Sequence, residues 1–477
     1  MSLIARVKYL TQTRGEEAAK LYLRRYFRNP NNKLEFAAFL FPHYTTSVIP
    51  DFHREMYTLF DWSLAMRRNV AIAAPRGSAK STAAGVIELC HIGLYHLRNF
   101  VVEISDTTTQ AEGLLAPLQS EFENNERLIW LYGDMRSDKW NKADFVTKTG
   151  VRFLAKGSGM KIRGLRHNEN RPDLILFDDL ENDTEVLSED QRIKTKNWML
   201  AAALSALDPD EGIAWMVGTI LHPQSLLSEI VHKMPPFEDW ETRVYKALID
   251  DAVSFWPSRF PVEWLKQKRK ELGTFVFNQE YQNEPIIEGT RLCPPSYIKP
   301  IDTSVDLGDI GKSTHMACDP AISKKQTADK TGIVGGHAWV TATGDIRKIR
   351  VTYAHASRMT ALETAQKLKD LDGILKPQDI GIEKVAYQQA LVEITQKMGL
   401  PAKPMEVDGD KVRRFNRISP YMEQGLVEID PQFTELIAQL LNFTGADGNE
   451  DDLVDAFVNF VSLCVEKPQA EFQIFVG

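Results

Sequence analysis

Short, largely apolar runs separated by amphipathic stretches constrain this chain more than any other feature. Asn69-Val70-Ala71-Ile72-Ala73-Ala74, Phe100-Val101-Val102-Glu103-Ile104-Ser105, Leu174-Ile175-Leu176-Phe177 and Ala214-Trp215-Met216-Val217-Gly218-Thr219 have the length of strands, and helical patterning follows the first two at about 80–97 and 110–125. Strands apolar on both faces need cover on both faces, so the alternation implies an α/β fold with a parallel sheet between helices. The chain is long enough for two or three such cores. Proline recurs at 285, 294, 295 and 300, as in a linker, and a second α/β region follows. Its expected strands are 315–319, 331–340, 346–355 and 379–383, with helices near 360–371, 385–398, 411–424 and 451–464. The expected division is a domain over 1–222 that opens with a helical segment, a lid and linker over 223–304, and a second domain over 305–477.

The first strand runs into Ala74-Pro75-Arg76-Gly77-Ser78-Ala79-Lys80-Ser81, and a helix follows. That is the setting of a phosphate-binding loop, in which backbone N–H groups and a helix N-terminus approach phosphate oxygens. Both consensus glycines are replaced, by Ala74 and Ala79, leaving Gly77 as the flexible residue. Pro75, Arg76, Gly77, Ser78, Ala79, Lys80, Ser81 and Thr82 are the nucleotide-binding candidates, with Lys80 for the β- and γ-phosphates of ATP and Ser81 for Mg2+. About a hundred residues on, the apolar run 174–177 ends in Asp178-Asp179. Asp178 is the expected second Mg2+ ligand, and either Asp179 or Glu181 orients the attacking water. Arg76, inside the loop, could neutralise transition-state charge in cis; Arg163, beside Gly164, could do so from a neighbouring subunit, or contact DNA, or be structural.

In the second region carboxylates recur at strand ends and at a helix start: Asp319, Glu383 and Asp451-Asp452-Leu453-Val454-Asp455. Metal-dependent nucleases need such acids converging on two Mg2+ or Mn2+ ions. Singly, each has an ordinary explanation as a turn, an exposed strand end or a helix N-terminal charge. Their order favours Asp319, Glu383 and Asp452 as direct ligands with Asp451 and Asp455 as partners, and Asp329 as a further acid. Lys411, Arg413, Arg414 and Arg417 form a basic run and are candidates for DNA contact.

The net charge of -8 argues against a protein that coats DNA, though not against one with local, transient contacts. Cys90, Cys293, Cys318 and Cys464 are isolated, which argues against a zinc site or a disulfide framework. No apolar stretch approaches a membrane span, and no signal peptide is evident at Met1, so a cytoplasmic protein is expected.

Taken together, the loop 74–81, Arg163-Gly164, Arg171-Pro172-Asp173 leading to Asp178-Asp179-Leu180-Glu181, Val217-Gly218-Thr219, and Phe277-Asn278-Gln279-Glu280-Tyr281 resemble the large terminase subunit of tailed bacteriophages, over about 45–465. The resemblance implies a P-loop ATPase domain followed by an RNase H-like nuclease domain. It implies an ATP-hydrolysing motor that packages double-stranded DNA into a procapsid and an endonuclease that cuts concatemeric DNA. It places Phe52 and Arg54 near the adenine and Gly218-Thr219 in the coupling element, and it departs from the family's usual histidine at Glu450. It also implies a portal protein and a small terminase subunit as partners, a homopentamer on the portal from subunits monomeric in isolation, and action in the host cell cytoplasm. A helicase-like or repair ATPase with a fused nuclease is the alternative, but the second region lacks another phosphate loop. A scaffold with a decayed ATP fold is a third reading, opposed by Lys80, Ser81, Asp178, Asp319 and Glu383.

Overall fold

The computed structural model describes residues 3–285, 291–320, 330–383, 389–406, 411–445 and 451–466. They form two compact units, Met1–Gln267 with Phe277–Ile286, and Lys268–Val276 with Ile287–Gly477. Among the described residues no helix is long and apolar enough to cross a membrane.

The first unit is built on an eight-stranded sheet of β1 (Val70–Ala73), β2 (Phe100–Ser105), β3 (Arg136–Asn141), β4 (Asp144–Thr147), β5 (Arg152–Gly157), β6 (Leu174–Asp178), β7 (Ile213–Gly218) and β8 (Glu241–Val244). The order is β3-β4-β5-β2-β6-β7-β1-β8. From β5 to β8 every pairing is parallel, while β3-β4 and β4-β5 are antiparallel. The four expected strands are the buried centre of this sheet. Their alternate side chains enter opposite cores: Val70 and Ile72 join one with Phe60, Phe122 and Trp215, and Ala71 and Ala73 join the other with Ile175, Phe177 and Ile230. The β3-β4-β5 extension was not legible in the sequence, because β3 is polar and exposed or half-buried along its length. The helix after the loop begins with a wide π-type turn over Thr82–Glu88, continues as Leu89–Tyr95 and ends at His96 in the left-handed region.

The leading helices Glu16–Arg28 and Lys33–Leu40 pack into the first core through Leu23, Phe27, Phe36 and Leu40. A buried charge cluster accompanies them. Lys33 Nζ lies 2.8 Å from Glu88 Oε1 and 3.1 Å from Asp61 Oδ1, and it donates to His91 Nδ1 at 2.9 Å. His91 Nε2 in turn donates to the Phe27 carbonyl at 2.8 Å, which fixes the tautomer and leaves Nδ1 as the acceptor.

After a small hairpin of β9 (Leu248–Ile249) and β10 (Val253–Ser254) in the first unit, the second unit carries a seven-stranded sheet. Its strands are β11 (Lys299–Pro300), β12 (Lys312–Asp319), β13 (Thr331–Val340), β14 (Ile346–Ser357), β15 (Asp379–Glu383), β16 (Ala402–Met405) and β17 (Val427–Ile429). The order is β11-β17-β14-β13-β12-β15-β16. The β12-β13 and β13-β14 pairings are antiparallel and β12-β15 and β15-β16 parallel, which sets the ends of β12 and β15 side by side. The Asp452–Val465 helix lies across this sheet, and a Cβ at Gly332 would run into the Asp452 carbonyl. The proline-rich stretch read as linker includes β11, paired with β17, and Leu292, whose N–H donates to the Phe443 carbonyl at 2.9 Å. Proline suits this edge position because it has no N–H to give to a neighbouring strand.

Candidate active sites

The first site lies beyond the C-terminal ends of β1, β6 and β7, where a parallel sheet opens toward ligands. A cleft of about 390 Å³ is lined by Arg76 to Thr82, Gln110, Asp179, Glu181, Asn182, Asp183, Thr219 and Leu221. Gly77 and Ala79 have φ of 75° and 61°. The alanine therefore keeps a left-handed backbone that costs an L-residue about 1–2 kcal/mol and that glycine would take freely. The loop shape survives the missing consensus glycine.

Lys80 Nζ is 3.3 Å from Thr219 Oγ1 and 3.4 Å from Asp179 Oδ1. Ser81 Oγ donates to Asp178 Oδ1 at 3.0 Å, while buried Asp178 Oδ2 has no hydrogen-bond partner among the described residues. Burial first, then Asp179, raise the Asp178 carboxyl to about 7, against the pull of Lys80 and Ser81. A hydroxyl and a carboxylate with an orphaned oxygen suit a divalent cation. Thr219 Oγ1 also donates to the Ala74 carbonyl at 3.1 Å, and the Ala74 N–H donates to the Gly218 carbonyl at 2.9 Å, so Gly218-Thr219 is fastened directly to the phosphate loop.

The two water-orienting candidates differ in their surroundings. Asp179 faces Lys80 in the cleft. Glu181 accepts the Leu226 and Leu227 N–H groups at 2.8 and 3.2 Å, capping the Leu226–Val231 helix, and burial above all raises it to about 6. The two arginines differ as well. Arg76 lines the cleft, with Nε 2.7 Å from Glu280 Oε2 and its N–H donating to the Glu280 carbonyl at 2.8 Å. Arg163 is not among the cleft-lining residues and donates through Nε to the Ala201 carbonyl at 3.0 Å.

Phe52 is buried against Tyr245, Phe255 and Trp256, whereas Arg54 is exposed and lines neither this cleft nor the small adjoining cavity. His53 and Tyr57 line that cavity instead, beside Ala79, Thr82 and Ala83. His53 Nε2 donates to the Ser78 carbonyl at 2.7 Å, and burial lowers its pKa to about 4. Sequence reasoning missed His53 and Glu280 as loop supports. Glu280 stood inside a quoted motif and His53 between the candidates Phe52 and Arg54, but only the folded chain brings either to the loop.

The second site gathers acids from β12, β15 and the Asp452–Val465 helix. Asp319 and Glu383 end their strands, and Asp451, Asp452 and Asp455 open the helix. Burial first, and then Glu383, Asp455 and Asp452, push the Asp319 carboxyl well above the usual carboxylate range, with Arg414 opposing. Asn459 Nδ2 donates to Glu383 Oε2 at 3.0 Å. Two residues of the basic run turn into this cluster. Arg414 Nη2 is 3.0 Å from Asp455 Oδ1 and Nη1 3.4 Å from Glu383 Oε2. Lys411 Nζ is 2.6 Å from Asp451 Oδ2 and 3.2 Å from Asp455 Oδ2. Arg413 and Arg417 are exposed. Five carboxyl groups against two cations form an oxygen-rich donor set that suits divalent metal. Asp329 and Glu450 lie outside the described residues.

These observations define a class: a unit with a phosphate-binding cleft, followed in the same chain by an α/β unit with an acidic centre. Residues 316–463 match the family described as the terminase RNase H-like domain. The matched stretch lies within the second unit, from β12 into the Asp452–Val465 helix. Among solved structures, the chain is similar to the large terminase of a thermophilic bacteriophage, 11% identical, covering 84% of this chain and 94% of that one at a TM-score of 0.47. It is also similar to the HK97 bacteriophage large terminase, 14% identical over 91% of this chain and 100% of that one, TM-score 0.39. A third is the large terminase nuclease of thermophilic phage G20c with bound magnesium, 13% identical over 36% and 97%, TM-score 0.27. Comparison with curated proteins gives no match.

Proposed function

We propose that this chain is the large-subunit motor of a phage terminase, hydrolysing ATP to drive double-stranded DNA into a procapsid and cutting concatemeric DNA with its second unit. The observation that carries this reading is the union in one chain of a complete phosphate-loop cleft and a terminase RNase H-like domain with its acids clustered.

In the first unit, Lys80 and the backbone N–H groups of the loop bind the β- and γ-phosphates. Ser81 and Asp178 would hold Mg2+, which supplies charge neutralisation on the phosphates when bound. Asp179 orients the attacking water, a role supported by its place in the cleft beside Lys80, while Glu181 is committed to a helix N-terminus. Arg76 stabilises charge on the transferring phosphoryl group, and the ion pair with Glu280 holds it ready at the cleft. Thr219 reports the state of the loop to β7 through its contacts with Lys80 and Ala74. In the second unit, Asp319, Glu383 and Asp452 would hold two Mg2+ or Mn2+ ions, which activate water and stabilise the leaving oxygen when bound.

The partners that fit this function are a portal protein and a small terminase subunit, with a homopentamer on the portal as the working form in the host cytoplasm. The test is DNA-stimulated ATP hydrolysis measured beside plasmid linearisation with Mn2+. Lys80→Ala should abolish the first and Asp319→Asn the second, each sparing the other. Loss of both activities in both variants, or of neither, would sink the reading.

A further inference from the structure

The basic run on the Lys411–Glu423 helix is divided by what its side chains reach. Lys411 and Arg414, three residues apart, share a face. That face meets the carboxylate centre, and each side chain touches two acids there. We propose that Lys411 and Arg414 are exchangeable counter-cations of the metal centre: they hold its acids together before divalent ions bind and yield those oxygens when the ions arrive. The proposal rests on the nuclease reading above and assigns these two residues a positioning role in place of a fixed DNA contact.

Three observations carry it. Both oxygens of Asp455 are engaged, Oδ1 by Arg414 and Oδ2 by Lys411, and Glu383 Oε2 is shared by Arg414 and Asn459. A divalent ion must take up such oxygens at about 2.0–2.1 Å, a place it cannot share with an ammonium or guanidinium group on the same lone pairs. Second, five acids converge where two cations sit, so carboxyl oxygens remain to take up a stronger cation source. Third, the Lys411 side chain is 33% exposed on a flexible stem that can withdraw toward water, and Arg414 meets the acids through its two terminal nitrogens, its Nε having no hydrogen-bond partner among the described residues.

The experiment is Mn2+ titration of the full chain without DNA, by calorimetry and by the electron paramagnetic resonance signal of free Mn2+. Lys411→Met and Arg414→Met should each bind Mn2+ about tenfold more tightly or better, because a competing positive charge a few ångströms away has been removed. Arg414→Lys, which keeps the charge, should stay near wild-type affinity. Both neutral variants should melt lower without metal and gain more from added Mn2+ than wild type does. If they are instead permanent clamps, removing them spreads the acids and weakens Mn2+ binding; weaker or unchanged affinity overturns the proposal. Asp319→Asn separates the two layers. Should it keep both Mn2+ binding and cleavage, the nuclease reading itself fails. Should it lose both while the Lys411 and Arg414 variants bind Mn2+ no more tightly, only the counter-cation proposal falls.

Discussion

Lys33→Met is the sharpest test of how the first unit is held together. The Lys33 side chain is 2% exposed, and its ammonium lies against Glu88, which is fully buried, Asp61 and His91 Nδ1. Methionine fills the same volume and removes the charge. Breaking a buried ion pair from one side costs about 3–5 kcal/mol, because the remaining acid keeps its desolvation without its partner. For a unit of this size that corresponds to a drop in Tm of roughly 10 °C. The loss should depend on pH in a defined direction. Burial, outweighing Lys33, holds the Glu88 carboxyl at about 7, above its ordinary value. The folded protein thus binds a proton that the unfolded chain releases, so this group's contribution is full below the unfolded value near 4.5 and fades as pH rises through about 7. Without Lys33 the carboxyl moves higher still, and the gap between variant and wild type should widen from pH 5 to pH 8. Urea unfolding at both values, followed by far-ultraviolet circular dichroism, measures it. A deficit under about 1 kcal/mol at pH 8, or one larger at pH 5, refutes the argument. Replacing Asp61 and Glu88 by leucine in the same variant should recover much of the loss, since apolar residues often match a buried charge network.

Arg76→Ala should lower ATP turnover by about 10³-fold or more, within the range of arginine fingers, while nucleotide affinity by titration stays near wild type. Arg76→Lys should rescue poorly, because a point charge lacks the planar fork; parallel loss of binding and turnover would make Arg76 a ground-state ligand. His53 is buried neutral with its pKa lowered to about 4, so between the free value of 6.5 and about 4 only the unfolded chain takes up this proton. Stability should be complete above that window and fall with pH inside it by about 1.4 kcal/mol per pH unit from this group, a slope that His53→Gln should remove in paired urea titrations at pH 7 and pH 5.

The sequence by itself determined the parallel core of the first unit, because β1, β2, β6 and β7 are apolar along most of their length and must be buried on both faces. It also pointed to the candidate site residues, since Lys80, Ser81 and Asp178 in their strand–loop–helix context, and acids at the ends of β12 and β15, are local patterns. Strand β3 and the short strands β11, β16 and β17 escaped it, for they are polar or only two to four residues long and exist through their pairing partners. Tertiary structure alone decided that His53 and Glu280 support the loop, from about 25 residues before it and 200 after it. It alone also divided the basic run, turning Lys411 and Arg414 toward the acids and leaving Arg413 and Arg417 exposed. The physical reason is range: periodicity and turn chemistry act within a few residues, whereas the partner of a charge is set by which distant segments the buried sheets bring within a few ångströms of it.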